Sequence, residues 1–195
     1  VASRRAALAA TLLLGGCAGG QVGALERTLA SRDSATAALQ DWCAARHLAD
    51  PARIVAEAVR GAPAMLPGDA QTRLSLAAED ALGYRHVRLS CGGVVLSEAH
   101  NWYVPARLTP AMNALLASTD TPFGRVAGPL HFTRERIESR YGRQAPCPAA
   151  TALSQRGLLR LPDGRPLALV VECYTKAAVR APRSDLGGVN HPPLP

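Results

Sequence analysis

A length of 195 residues allows one domain of ordinary size, and a second only if it is small. With 48% hydrophobic and 19% charged residues the chain is not disordered as a whole, and with only 4% aromatics its core must rest on Leu, Val and Ala. The net charge is +7, yet Lys176 is the only lysine among 22 basic residues. The arginines are dispersed and aromatic stacking platforms are scarce, which argues against a nucleic-acid-binding surface.

The first residues look like an address. Arg4 and Arg5 precede an apolar stretch from Ala6 to Leu14, and small residues Gly15-Gly16 lead to Cys17. This is the pattern of a secretory signal peptide, too short to span a bilayer. Leu14-Gly15-Gly16-Cys17 also resembles the bacterial lipobox, in which the cysteine is lipidated. Residues 1–16 are therefore expected to be removed, with Cys17 lipidated and residues 17–23 a tether. The expected location is the cell envelope, anchored to a bacterial membrane and facing the periplasm. That compartment is oxidising, so Cys43, Cys91, Cys147 and Cys173 become disulfide candidates. Four cysteines allow three pairings, and buried free thiols are the alternative.

A helical pattern begins at Ala24, and Asp33 or Ser34 can cap a second helix running to about Ala45. Residues 52–60 suit a short helix or strand, and 61–70 a loop. Tyr84 to Cys91 and Val94 to Val104 flank Gly92-Gly93, which predicts a two-residue hairpin. A regular register places Arg85 opposite His100 and Val87 opposite Glu98. Arg85, Val87, Leu89, Leu96, Glu98 and His100 then share one surface, with His86 and His100 on opposite faces. That surface is either a pocket wall or a core face fraying into solvent. Thr109-Pro110 starts a helix with Met112, Leu115 and Leu116 inward. Residues 134–141 read as helical or irregular. A second hairpin runs through Pro162-Asp163-Gly164 into the apolar strand Pro166 to Tyr174, and residues 179–195 suit a disordered tail. The fold class is α+β: an antiparallel sheet built from two long hairpins, with helices packed on one side.

Phosphate-binding loops, dinucleotide fingerprints and the common hydrolase motifs are absent, and no spacing of His and Cys suggests a metal site. What remains are ionisable residues inside apolar strands: Arg85, Glu98 and Glu172. Glu172 is either at a strand end in water or a buried acid with a raised pKa.

At these residues the chain resembles the chorismate lyase superfamily, whose fold is shared with the effector-binding domains of some transcription regulators. Asp33-Ser34-Ala35-Thr36 resembles the start of the family's early helix, and Arg85-His86-Val87-Arg88-Leu89 the strand carrying its active-site arginine. Tyr103-Val104-Pro105 is similar to the end of the next strand, and Thr121-Pro122-Phe123-Gly124-Arg125 to a Thr-Pro-Leu-Gly-Arg turn. Gly164-Arg165-Pro166-Leu167 up to Glu172 resembles the strand leading to the active-site glutamate, with one residue more than usual, so a bulge is needed to keep Glu172 facing Arg85. Asn101 stands where the family has an arginine. The likeness covers residues 24–178. It implies a closed pocket for a small aromatic carboxylate, such as chorismate or 4-hydroxybenzoate, and cleavage of chorismate to 4-hydroxybenzoate and pyruvate without a cofactor. Arg85 would bind the ring carboxylate, Glu172 would be the general acid, backbone amides near Ala35 would hold a carboxylate oxygen, and Phe123 would line the pocket. A monomer is expected. The alternative is a non-catalytic ligand-binding or structural lipoprotein of the same fold.

Overall fold

Residues 16–180 are those that the computed structural model describes. Two hairpins organise them. The Gly92-Gly93 turn joins β2 (Gly83–Cys91) to β3 (Val94–Tyr103), and the turn at residues 161–165 joins β5 (Thr151–Arg160) to β6 (Pro166–Thr175). The hairpins meet where β3 pairs with β6, and β1 (Val55–Ala58) and β4 (Thr133–Tyr141) close the edges. The result is one antiparallel six-stranded sheet in the order β1-β2-β3-β6-β5-β4.

The helices of two turns or more lie on one face: α1 (Gly16–Ala30), α2 (Ala35–Ala45) and α4 (Pro110–Ser118). Leu25 and Leu29 of α1 and Leu39 and Trp42 of α2 are buried against Val87, Leu89, Leu153 and Tyr174 of the sheet. The opposite face is covered by the single turn α3 (Ala70–Arg73) and its flanking loops over Trp102, Leu169 and Val171. Both cysteine pairs are disulfides. Cys43–Cys91 fastens α2 to the end of β2, and Cys147–Cys173 fastens the loop before β5 to β6 on the other face.

Several expectations are corrected. Residues 17–23, expected as a tether, are the opening turns of α1, because Leu25 and Leu29 recur at a one-turn spacing and dock that helix on the core. Residues 1–15 of the expected signal peptide and residues 181–195 of the expected tail lie outside the described residues, as does the side chain of Cys17. Residues 133–141 form a strand, not a helix. As an edge strand its side chains are mostly charged or polar, and ion pairs such as Glu135–Arg160 leave no apolar period to read. In α4 the Thr109 hydroxyl accepts from the Met112 amide at 3.2 Å, and Leu116 turns inward, but Leu115 is 46% exposed.

The β2–β3 register also differs. Leu96 is an extra residue between the Leu89–Ser97 and Ser90–Val95 pairs, so every pair beyond it shifts by one. Arg85 now faces Asn101, Val87 faces Ala99, and His86 faces His100. Both Leu96 and Ser97 are buried on the helical side, a gain in packing that a regular ladder would forgo. Glu98 and His100 therefore stand on the other face, where the His86 and His100 rings stack 4.1 Å apart. The Tyr84 hydroxyl hydrogen-bonds His100 Nδ1 at 2.8 Å, and Glu98 accepts from Arg88 at 3.1 Å.

Burial first, and then the neighbouring His86, push the His100 pKa down to about 4, with Glu98 opposing. A histidine kept neutral in the fold but titrating near its ordinary value once unfolded makes stability fall as pH drops from about 6.5 towards 4. From pH 7 to 5 we expect a loss of about 2 kcal/mol, read by denaturant unfolding at each pH. In His100→Phe most of that dependence should vanish; an unchanged pH profile would remove His100 as its source.

Candidate functional site

On the helical face, the start of α2 stands over the middle of the sheet. Ser34 is its N-cap, in extended conformation, and its hydroxyl accepts from the Ala37 amide at 3.4 Å while its carbonyl accepts from Ala38 at 3.0 Å. The amides of Ala35 and Thr36 have no hydrogen-bond partner among the described residues, as the first turn of a helix dictates. Both residues line a cavity of about 40 Å³. Its floor includes Ala99, Asn101, Val170 and Glu172, and its wall is Phe123 of the one-turn helix α5 (Phe123–Val126) together with Phe132. A side chain at Gly124 would come within 2.7 Å of Ser34 Oγ, so glycine there is what lets α5 close on the α2 start.

Glu172 reaches this floor through a bulge. Leu159 pairs with Ala168 and Arg160 with Pro166, leaving Leu167 as the extra residue. That insertion puts Glu172 opposite Ala99 on the helical face. The carboxylate belongs to a buried network: its Oε2 accepts from the Tyr174 hydroxyl at 2.8 Å and from Arg134 Nη2. The side chains of Arg134 and Glu172 are 5% and 8% exposed. Arg134 also donates to Gln155 Oε1 at 3.2 Å, and Gln155 donates to Ser139 at 3.3 Å. Burial opposes the Arg134 charge, but Glu172 and Tyr174 beside it outweigh burial and hold its pKa above the ordinary value. Burial drives the Tyr174 phenol well up, with the Glu172 charge adding to it. Tyr174 is thus a fixed hydrogen-bond donor, and the Glu172 carboxylate is held from two sides.

Ala35, Phe123 and Glu172 therefore meet in one cavity. Arg85 does not join them. It sits on the same face of the sheet, beside Asn101, but its guanidinium donates to the carbonyls of Leu116, Thr119 at 2.7 Å and Thr121 at 2.9 Å. It caps the end of α4 and pins the segment that leads into Pro122 and Phe123 of the cavity wall. Arg85 is 7% exposed, and burial lowers its pKa, with Asp120 and Tyr103 opposing. Its role here is to position the wall.

Arg134, Tyr174 and Asn101 are the residues that the sequence reading did not place in the site. Arg134 reaches Glu172 by crossing β5 at Gly157, where a Cβ would come within 3.0 Å of Arg134 Nε. The signal was a glycine in the interior of a strand, a mark of close approach by another group. Among the described residues no three His, Cys, Asp or Glu side chains are grouped to hold a metal ion.

No family model matches the chain. Over 177 residues it is 38% identical to the uncharacterized protein y4mC of Sinorhizobium fredii (strain NBRC 101917 / NGR234), covering 81% of this chain and 75% of that protein. The chain belongs to the y4mC family. Among solved structures, the effector domain of PhnF from Mycobacterium smegmatis shares 12% identity at a TM-score of 0.49, covering 73% of this chain and 88% of that one. The C-terminal domain of the histidine utilization repressor from Pseudomonas syringae pv. tomato shares 10% at a TM-score of 0.46, covering 66% and 95%. A GntR-family transcriptional regulator from Enterococcus faecalis V583 shares 11% at a TM-score of 0.45, covering 62% and 93%. Among the described residues no helix is long and apolar enough to cross a membrane.

Proposed function

We propose that this domain binds a small carboxylic acid in the cavity at the start of α2. The observation that carries this reading is that Ala35 and Thr36, whose amides are unpartnered among the described residues, line the same cavity as Asn101 and Glu172. A helix start offers both N–H donors and the positive end of the helix dipole to an anion. The ligand's carboxylate sits there, and its hydroxyl or ether end meets Glu172, which Arg134 and Tyr174 hold in place. A cavity of about 40 Å³ takes an acid no larger than acetate, whereas benzene fills one of roughly 150 Å³. An aromatic acid such as 4-hydroxybenzoate enters once Phe123 withdraws or is shortened.

Ala35→Pro tests the seat cleanly. The position is the first of the helix, Ser34 before it is extended, and proline is tolerated there while removing one donor. Carboxylate affinity should fall about tenfold or more by calorimetry, the worth of a hydrogen bond to a charged group. Phe123→Leu should strengthen the binding of 4-hydroxybenzoate relative to acetate. Unchanged affinity in Ala35→Pro would remove the helix start from the site.

A second reading, conversion of chorismate to 4-hydroxybenzoate and pyruvate, is favoured by one observation: a glutamate shares the cavity with the amides. Against it, the Glu172 carboxylate is engaged by Arg134 and Tyr174 and Arg85 is turned elsewhere. Incubation with chorismate and chromatography of the products decides. Product that Glu172→Gln suppresses establishes the lyase, and none leaves a binding domain.

The same protein is proposed to face an oxidising envelope compartment, anchored through lipidated Cys17. Two disulfides within one small domain suit that compartment. Cys17→Ser should release the protein from the membrane fraction of cells expressing the full chain, and retention would contradict the anchor.

A further inference from the structure

Next to the cavity, and outside it, lies a hollow of about 60 Å³ between the α1–α2 turn and β4. It is lined by Leu29, Ala30, Arg32, Asp33, Arg134 and Arg136. Arg134 uses Nη2 on Glu172 and Gln155, and its Nη1 has no hydrogen-bond partner among the described residues and is not closed off from the hollow. Arg136 has no ion pair or side-chain hydrogen bond among the described residues. Arg32 is tied to Asp41 at 2.8 Å, and Asp33 accepts from the Arg134 backbone amide at 3.0 Å. Three guanidinium groups thus surround the hollow against the single carboxylate of Asp33 that lines it. A guanidinium N–H left without a partner beside a second free guanidinium is matched by the oxygens of an anion, in charge-assisted hydrogen bonds.

We propose that this hollow is a second anion site, taking a carboxylate or a phosphate-sized oxyanion on Arg134 Nη1 and the Arg136 guanidinium. The site is separate from the cavity and can fill while the cavity is empty. It is coupled to the cavity through one side chain. An anion in the hollow competes with Glu172 for Arg134, so its binding loosens the Glu172 carboxylate and changes what the cavity accepts. By linkage, a ligand that engages Glu172 in turn alters anion affinity.

The test is calorimetric titration of the protein with inorganic phosphate and, in a second arm, acetate, against chloride at matched ionic strength. We expect saturable one-to-one phosphate binding that falls about tenfold in Arg136→Gln, the loss of one charge-assisted hydrogen bond. Ala99→Val, which fills the cavity floor, should leave that binding unchanged. The acetate arm is run in Ala99→Val, with the cavity floor filled; acetate binding that also falls in Arg136→Gln supports a carboxylate in the hollow, and acetate binding indifferent to Arg136→Gln overturns it. Arg136 is on the exposed edge, so its variant should fold even if variants of Arg134 do not. Binding no better than chloride, or full affinity in Arg136→Gln, would overturn the second site. Loss of phosphate binding in Ala99→Val alone would place the anion in the main cavity and overturn it equally.

Discussion

Replacing Arg134 with alanine should destabilise the domain by about 3–5 kcal/mol, the largest single effect expected outside the hydrophobic core. The reason is what is left behind. Arg134→Ala strands the Glu172 carboxylate at 8% exposure with only the Tyr174 hydroxyl as donor. A buried pair contributes little net stability compared with apolar residues of the same size, because both ions lose their hydration. Breaking one half is a different matter, since the remaining charge keeps its desolvation cost and loses its compensation. Arg134→Met strands Glu172 in the same way, and the double variant Arg134→Met, Glu172→Leu should recover most of its loss, giving a coupling of about 2 kcal/mol or more in the cycle of wild type, the two single variants and the double. Denaturant unfolding of the four proteins measures it. A single-variant cost below about 1 kcal/mol would mean that the pair is hydrated and the network described here is not closed.

Arg85→Ala should cost about 3 kcal/mol and weaken carboxylate binding as well. Its guanidinium satisfies the carbonyls of Leu116, Thr119 and Thr121, and hydrogen bonds to a charged donor are worth about 1.5–3 kcal/mol each. Some of that is recovered when the exposed end of α4 turns its carbonyls to water. The effect on binding is indirect. The segment that Arg85 holds continues into Pro122, Phe123 and Gly124, three residues of the cavity wall. A positioning residue is distinguished from a ligand contact by the pattern across ligands. Arg85→Ala should weaken acetate and 4-hydroxybenzoate by similar factors, and hydrogen exchange at residues 119–124 should rise with it. A loss confined to the aromatic acid, with the wall unaltered, would return Arg85 to the ligand.

Much of the architecture was legible because local chemistry decides it. Gly92-Gly93 between two alternating strands and Thr109-Pro110 before an apolar repeat each specify their element with little help from the rest of the fold. The bulges at Leu96 and Ile137 were not legible, and the one at Leu167 was legible as a requirement of the extra residue before Glu172 but not in its position. Each is settled by packing across the sheet, where two consecutive residues gain by facing the same layer. One such residue turns Glu98 and His100 away from the helices, and another turns Glu172 towards them. The site followed the same division. Ala35, Phe123 and Glu172 converge because a capped helix, a tight turn and a strand each hold them locally. Arg85 is not at the cavity where it was expected, and Arg134, of which nothing was expected, holds Glu172. An arginine has reach enough to choose among several acceptors, and the choice depends on which carbonyls and carboxylates the tertiary fold leaves bare. The free carbonyls at the end of α4 take Arg85, and Gly157 opens the path by which Arg134 reaches Glu172.

A ligand carboxylate is proposed to seat on the first turn of α2, facing Glu172. The most direct measurement is a two-dimensional amide NMR titration of the protein with acetate, followed by 4-hydroxybenzoate on Phe123→Leu. The account predicts saturable shifts at the Ala35 and Thr36 amides and at the Asn101 side chain, with one dissociation constant for all three. Shifts that never saturate, or that centre on Arg136 while Ala35 and Thr36 stay still, would contradict it.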